Sequence, residues 1–395
     1  MKTDWVMRNL GDVCDVVGGG TPSKENSAFY AGRIPWATVR DMRHEVITET
    51  EYRITKEAVQ SSATNIIPSG NVVIATRVGL GKICLLGQDT AINQDLRGII
   101  PHDTKTLSVR FLFWWLKTMA AVIVSEGTGA TVQGVKLPFV KSLQIPVPPL
   151  AEQHRIVGIL DEAFEGIATA TANAEKNLQN ARALFESRLD SVFTQRGKGW
   201  VNSTIGAEIR FIDYRGKTPV KTPSGIRLIT AKNVKMGYLQ ETPMEFIAAT
   251  NYKGWMTRGI PQKGDVLFTT EAPLANVAQL DTDEKVAFAQ RIIIMQPNYA
   301  KLDNTFLKYL LLSRPVQQRI RTKGTGATVQ GIKASLLKTI EISFPKSLAE
   351  QGQIVTNLDG LSEETQRLES IYQQKLAALD ELKKSLLHQA FSGAL

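Results

Sequence analysis

Two long stretches of this chain place apolar or small residues at steps of three and four, with no proline among them. From Ala151 to about Arg196 these are Ile156, Leu160, Ala163, Ile167, Ala170, Ala174, Leu178, Ala181, Phe185, Leu189 and Val192. Such spacing draws one stripe along an α-helix. A second stripe runs through Ile354, Leu358, Leu361, Leu368, Tyr372, Leu376, Leu379, Leu382 and Leu386, with Thr365 its single polar interruption. A helix over the first stretch would be ~69 Å long. Only a partner of similar length covers such a stripe, so the pattern predicts that the two helices pair with each other, antiparallel. Ala163, Ala170, Ala174 and Ala181 would let the backbones approach closely. Separate packing of each helix on its own domain is the competing arrangement.

Ahead of each helix, short β-branched runs alternate with glycine and proline. Asn71 to Thr76 and Asp265 to Thr270 read as strands, each entered through a turn at Gly70 or Gly264. Phe111 to Met119 and Phe306 to Leu312 read as matching helices. Pro146, Pro148 and Pro149, and later Pro345, close the two mixed regions, since proline cannot continue hydrogen-bonded structure. The expected fold class is α+β: two tandem domains of mixed α/β structure, 1–150 and 197–348, each followed by a long helix, 151–196 and 349–395, the latter with a C-terminal tail. A chain of 395 residues exceeds what one hydrophobic core serves, which agrees with more than one domain.

The two halves repeat one another. The string GTGATVQG occurs at Gly127 to Gly134 and again at Gly324 to Gly331, an offset of 197 residues. Leu-Ala-Glu-Gln recurs at Leu150 and Leu348, Ile-Val at Ile156 and Ile354, and Leu-Asp at Leu160 and Leu358. Earlier in each half Trp5 matches Trp200, Gly11 matches Gly206, Thr21-Pro22 matches Thr218-Pro219 and Thr38 matches Thr230, while the offset drifts between 192 and 197. A duplicated unit with matching ends and a divergent middle suggests one scaffold carrying two binding surfaces; neutral drift would leave the same trace.

Charge separates along this frame. The chain carries a formal net charge of +9, yet 151–196 holds five basic against seven acidic residues and 349–390 four against seven. The positive charge lies in the mixed regions, +3 in 1–150 and +11 in 197–348, as expected if those regions touch phosphates and the helices do not. With 43% hydrophobic and 22% charged residues the composition is that of an ordinary globular protein. The opening Met1, Lys2, Thr3, Asp4 leads into no apolar run, so the expected address is the cytoplasm, away from membranes. Cys14 and Cys84 read as reduced core thiols, and with four histidines they make no metal-ligand spacing.

Catalytic motifs are missing. A phosphate-cradling loop would need lysine after Gly129 to Gly134 or Gly326 to Gly331, where Val135 and Ile332 stand instead. There is no Gly-x-Ser-x-Gly elbow, no His-Glu-x-x-His helix and no Asn-Pro-Pro-aromatic motif of adenine methyltransferases; Pro148-Pro149 lacks both flanks. The expectation is a protein that performs no chemistry itself and needs no cofactor.

The layout resembles the DNA-specificity subunits of type I restriction-modification systems, along the whole chain. The resemblance rests on the Gly20-Thr21-Pro22 and Lys217-Thr218-Pro219 openings, the Ile34-Pro35-Trp36 strand entry, the paired GTGATVQG strings and the run from Pro149 to Val157. The ending Leu387 to Gly393 is also similar to that family's. It implies two target-recognition domains, each reading half of a bipartite site in double-stranded DNA, with the helices setting the gap. Implied partners are two methyltransferase subunits and, through the complex, restriction subunits. The second copy departs from the first with Gly352-Gln353 against His154-Arg155, and Glu271 against Arg77.

The variable segments receive no positional guidance from the resemblance, so candidate DNA contacts follow from chemistry. Arginine and lysine read guanine or grip phosphate; asparagine and glutamine pair with adenine. The first domain offers Thr38, Arg40, Arg43, Arg77, Lys82, Gln94 and Arg97, and the second offers as their equivalents Thr230, Lys232, Asn233 and Lys235, then Thr270, then Gln290 and Arg291 for Gln94 and Arg97. A stand-alone bipartite DNA-binding regulator or architectural protein would share the basic domains without docking a methyltransferase. A coiled-coil adaptor that binds proteins only would have no use for their charge.

Overall fold

Two buried β-strands, Val72–Ala75 and Val266–Thr269, form where the β-branched runs predict them. Each follows a glycine in the left-handed region, Gly70 at φ 80° and Gly264 at φ 92°, a conformation that favours glycine. The computed structural model describes residues 5–129, 134–214, 218–326 and 330–395. Met1 to Asp4, Ala130 to Gln133 and Ala327 to Val329 of the repeated strings, and Lys217 lie outside the described residues. The chain divides into two compact units, Met1–Ala174 with Gln374–Leu395, and Glu175–Gln373.

In unit 1, Val72–Ala75 is the middle of a five-stranded sheet ordered Cys14–Gly18, Leu96–Pro101, Val72–Ala75, Ile83–Leu86, Val46–Ile47. A second sheet is ordered Tyr52–Ile54, Ile34–Ala37, Thr90–Ile92, Asn65–Ile67, with Ile34–Ala37 and Thr90–Ile92 parallel. Val6–Asn9 pairs with Gln144–Val147, which brings the start of the mixed region beside its end. Unit 2 repeats the plan with a four-stranded sheet, Ile209–Asp213, Ile292–Pro297, Val266–Thr269, Val277–Gln279, and a three-stranded one, Glu245–Ile247, Ile226–Ile229, Val286–Phe288. There the last two strands are parallel, and Trp200–Thr204 pairs with Glu341–Pro345.

The domain helix is Val109–Ser125 in unit 1, longer than its sequence signal, and buries Phe111 through Leu116. In unit 2 it stops after Asn304–Leu312 and restarts as Arg314–Lys323, with Ser313 extended between them. Pro315 stands in the first turn of the second piece, where a missing N–H costs nothing. Gln317 offsets the break by donating its side-chain amide to the Leu311 carbonyl.

Each long helix is 45 residues, Leu150–Thr194 and Leu348–Ser392, and its repeated residues are those that fasten it to its domain. Gln153 is fully buried: its side-chain oxygen accepts the Ser108 N–H, and its amide donates to the carbonyls of Thr106 and Pro148, all at 2.8 Å. Gln351 does the same for Asp303 N–H and the carbonyls of Lys301 and Pro345. Two turns on, Leu160 and Leu358 enter the two cores. Beside them Asp161 accepts from Trp114 Nε1 at 2.7 Å and pairs with Arg110, while Asp359 accepts from the Tyr309 hydroxyl. Burial, then that hydrogen bond, push the Tyr309 phenol well above its ordinary pKa. Both motifs of the repeat are thus docking motifs.

Within each unit the two helices run antiparallel. In unit 1 Arg155 donates to the Leu395 carbonyl and Lys383 Nζ lies 5.2 Å from the Phe164 ring centre. In unit 2 Arg182 and Glu369 form an ion pair at 3.1 Å. Thr365, the polar interruption of the stripe, is buried, whereas Leu382 is 47% exposed. The stripe steps from Leu379 to Lys383, whose ammonium lies over the Phe164 ring as a cation–π contact.

The glutamine clamps generate a prediction. Gln153→Leu keeps the volume but strips three hydrogen bonds, so unit 1 should lose roughly 3 kcal/mol and the Ser108 amide should exchange faster, with Asp303 unaffected. Gln351→Leu should reverse the pattern. Hydrogen exchange read by mass spectrometry checks both; uniform protection in both variants would show that the clamps carry no local stability.

Candidate nucleic-acid interface

In both units the parallel strand pair delivers the chain into the same capped turn. The Asn93 N–H bonds the Ala37 carbonyl at 3.0 Å, and the Ala289 N–H bonds the Ile229 carbonyl at 2.9 Å. The next residues are Thr38 and Thr230. Thr38 donates its N–H and its hydroxyl to Asp41 Oδ2, at 2.7 and 3.0 Å, and Thr230 donates both to Asn233 Oδ1, each at 2.9 Å. Two residues past each threonine, Arg40 and Lys232 occupy the same exposed position, while Ala231 beside Lys232 is buried.

Around this turn unit 1 gathers its other candidates. Arg43 Nε donates to the Arg40 carbonyl, and Arg40 lies 3.6 Å from Glu51 with 73% of its side chain exposed. Lys82 Nζ reaches the Val39 carbonyl at 3.5 Å, joining the loop after Val72–Ala75 to the capped turn. Gln94 bonds the Thr21 hydroxyl, which places the Gly-Thr-Pro opening on the same rim. Arg77 stands at the strand's end, 3.8 Å from Asp95. Arg97 turns back into the fold: Nη1 donates to the carbonyls of Gln94 and Leu96, and burial lowers its pKa, with nearby Asp95 opposing. Thr38 likewise has its hydroxyl engaged in the cap.

Unit 2 presents a narrower set. Lys232 and Arg291 are exposed, and Thr230, Lys235 and Gln290 are half-buried. Asn233 and Thr270 present almost no surface to a ligand, at 1% and 2% exposure. The Asn233 amide donates to the carbonyls of Gln240, Glu241 and Pro243, and the Thr270 hydroxyl faces the Arg291 carbonyl. Their polar atoms hold the loops in place. Strand register also corrects one equivalence: Arg97 corresponds to Ile293, inside the sheet, and Arg291 stands where unit 1 has Asp95.

The described ends of the repeated GTGATVQG strings pair with each other at the edge of this rim. Thr128 and Gly134 exchange both backbone hydrogen bonds, as do Thr325 and Gly331. The following residues, Val135 and Ile332, donate to the Thr76 and Thr270 carbonyls at 2.9 Å. A Cβ on Gly134 would lie 3.3 Å from the Thr76 carbonyl, and one on Gly331 3.4 Å from that of Thr270. These glycines permit the close approach of each string to its neighbouring strand.

Three residues with a role at the rim escape a search for basic and amide side chains: Asp41, Asp95 and Glu271. The Thr-x-x-Asp and Thr-x-x-Asn spacing, repeated after a strand, was the available signal for the first. Cys14 and Cys84 are free and buried, and burial raises the Cys14 thiol to about 12. Among the described residues no group of three or more His, Cys, Asp or Glu could hold a metal, and no helix is long and apolar enough to cross a membrane.

The sequence and the fold have counterparts in known proteins. The specificity subunit of the EcoR124I/EcoR124II type I restriction enzyme of Escherichia coli is 30% identical over 200 residues, 49% of this chain and 48% of that one. The chain thus matches about half the length of that relative. The MjaVIII specificity subunit of Methanocaldococcus jannaschii is 22% identical over 410 residues, 99% of this chain and 93% of the relative. A solved structure described as showing complex assembly and conformational transition of a type I R-M system shares the fold, with a TM-score of 0.80, 20% identity and coverage of 100% and 99%. The family described as "Type I restriction modification DNA specificity domain" matches residues 2–179 and 216–377, and this chain belongs to it.

Proposed function

We propose that this protein is the DNA-reading subunit of a type I restriction-modification complex and performs no chemistry of its own. The observation that carries this is the duplicated rim: the same capped turn, strand end and closed loop, presenting Arg40 in one unit and Lys232 in the other. Residues 1–150 and 197–348 are the two target-recognition domains, each reading one half of a bipartite site in double-stranded DNA. The helices, 151–196 and 349–395, separate the half-sites and dock two methyltransferase subunits, through which restriction subunits join. Arg40, Arg43, Arg77, Lys82 and Gln94 in the first domain, and Lys232, Lys235, Gln290 and Arg291 in the second, supply the DNA contacts. A regulator or architectural protein acting alone would use the same rims, so the partner requirement discriminates.

The purified chain, given duplex DNA and a methyl donor, should transfer no methyl group. With the methyltransferase subunit it should mark adenines at one bipartite sequence, mapped by single-molecule sequencing. Transfer by the pure chain, or scattered marks in the complex, would sink the reading. Lys232→Gln should weaken binding at every sequence alike and shallow the slope of log K against log salt by about 0.9. Anisotropy titrations across salt concentrations measure it, and an unchanged slope would remove Lys232 from the phosphate contacts. Inserting four residues near Ala174 lengthens the helix by about 6 Å, close to two base pairs of duplex at ~3.4 Å each. The marked sites should keep both half-sites and gain unread gap; altered half-sites with a fixed gap would show that the helices are not the ruler.

A further inference from the structure

One ion pair recurs at the foot of the GTGATVQG loop in both units with its polarity reversed. In unit 1 the Thr76 N–H bonds the Asp95 carbonyl at 2.8 Å, and the next residue, Arg77, faces the Asp95 carboxylate. In unit 2 the Thr270 N–H bonds the Arg291 carbonyl at 2.9 Å, and the next residue, Glu271, meets Arg291 Nε at 3.0 Å. The backbone hydrogen bond is the same, and the string's closing glycine approaches both: a Cβ would lie 3.2 Å from Arg77 Cγ on Gly134 and 3.3 Å from Glu271 Cβ on Gly331.

Each arginine is half-exposed, so its ion pair by itself adds little to stability, although Asp95, 16% exposed, also accepts from the Asn93 side-chain amide at 3.0 Å. Reversal moves the guanidinium across the pair. Both guanidiniums remain available, with 49% of the Arg77 side chain and 46% of the Arg291 side chain exposed. Arg291 also holds φ at 78°, a region disfavoured for a side chain of its size and one Asp95 does not adopt. Strain of this kind persists where the surrounding structure enforces it, and gathers at functional positions.

Resting on the DNA-reading function above, we propose that this pair determines part of each half-site. Arg77 in unit 1 and Arg291 in unit 2 donate to the O6 and N7 edge of a guanine, and Asp95 and Glu271 are positioning residues that orient the fork. Because the guanidinium starts from opposite sides of one frame, the two units address different base positions with the same chemistry.

The test exchanges polarity in the full chain assembled with its methyltransferase partner. Arg77→Glu with Asp95→Arg gives unit 1 the polarity of unit 2; Glu271→Arg with Arg291→Glu does the converse. Methylation mapping should show one base pair of the corresponding half-site changed, or its discrimination lowered at least about tenfold, with the other half-site retained. Arg77→Gln and Arg291→Gln, which build no new pair, should relax the same positions. If the exchanged and single variants fold and still read both half-sites unaltered, the pairs are structural and the proposal fails. A wild-type complex that marks no bipartite site overturns the underlying function and this assignment with it.

Discussion

A 45-residue helix with an apolar stripe has to be held at a defined angle to the domain it serves, and one buried glutamine sets that angle in each unit. Gln153 and Gln351 spend all three of their bonds on backbone groups on either side of a short gap: the loop ahead of the domain helix and the turn from which the long helix departs. A shorter amide would not span it, and a carboxylate would repel two of the three partners. Leu160 with Asp161, and Leu358 with Asp359, repeat the attachment two turns later, against Trp114 and Tyr309. The sheets, and therefore the rims at their strand ends, inherit their placement on the helices from these few contacts.

The rims show how one frame tolerates different chemistry. The capped turn accepts Asp41 or Asn233 because the cap needs only an oxygen acceptor at that point. The loop foot accepts Arg77 or Glu271 because its glycine leaves the room. Backbone hydrogen bonds preserve the frame, so the outward side chains are free to diverge.

Much of this was legible in the sequence because it depends on periodicity and repetition. The long helices, the strands entered at Gly70 and Gly264, and the equivalence of the halves all follow from spacing. Positions fixed by tertiary context were not legible. Thr365 looks like a gap in the stripe but is buried, while Leu382 looks like part of it and is exposed, because the phase passes to Lys383. Helical apolar spacing through Phe306 to Leu312 gave no hint that the domain helix restarts at Arg314. Of the candidate contacts, Asn233 and Thr270 have the right functional groups but spend them inside the fold; polarity alone does not reveal burial. Arg97 and Arg291 looked equivalent by neighbourhood, and only strand register separates them.

The division of the chain has a consequence for synthesis. Unit 2 is a single continuous segment, whereas unit 1 needs 374–395, which follow the whole of unit 2. The Phe391 ring centre lies 5.1 Å from that of Phe111 with the planes tilted by 59°, and Ala390 is completely buried in the same core. Residues 374–395 therefore leave the ribosome after the whole of unit 2, so the half begun first is completed second. Until they arrive, the place of Phe391 beside Phe111 stays unfilled.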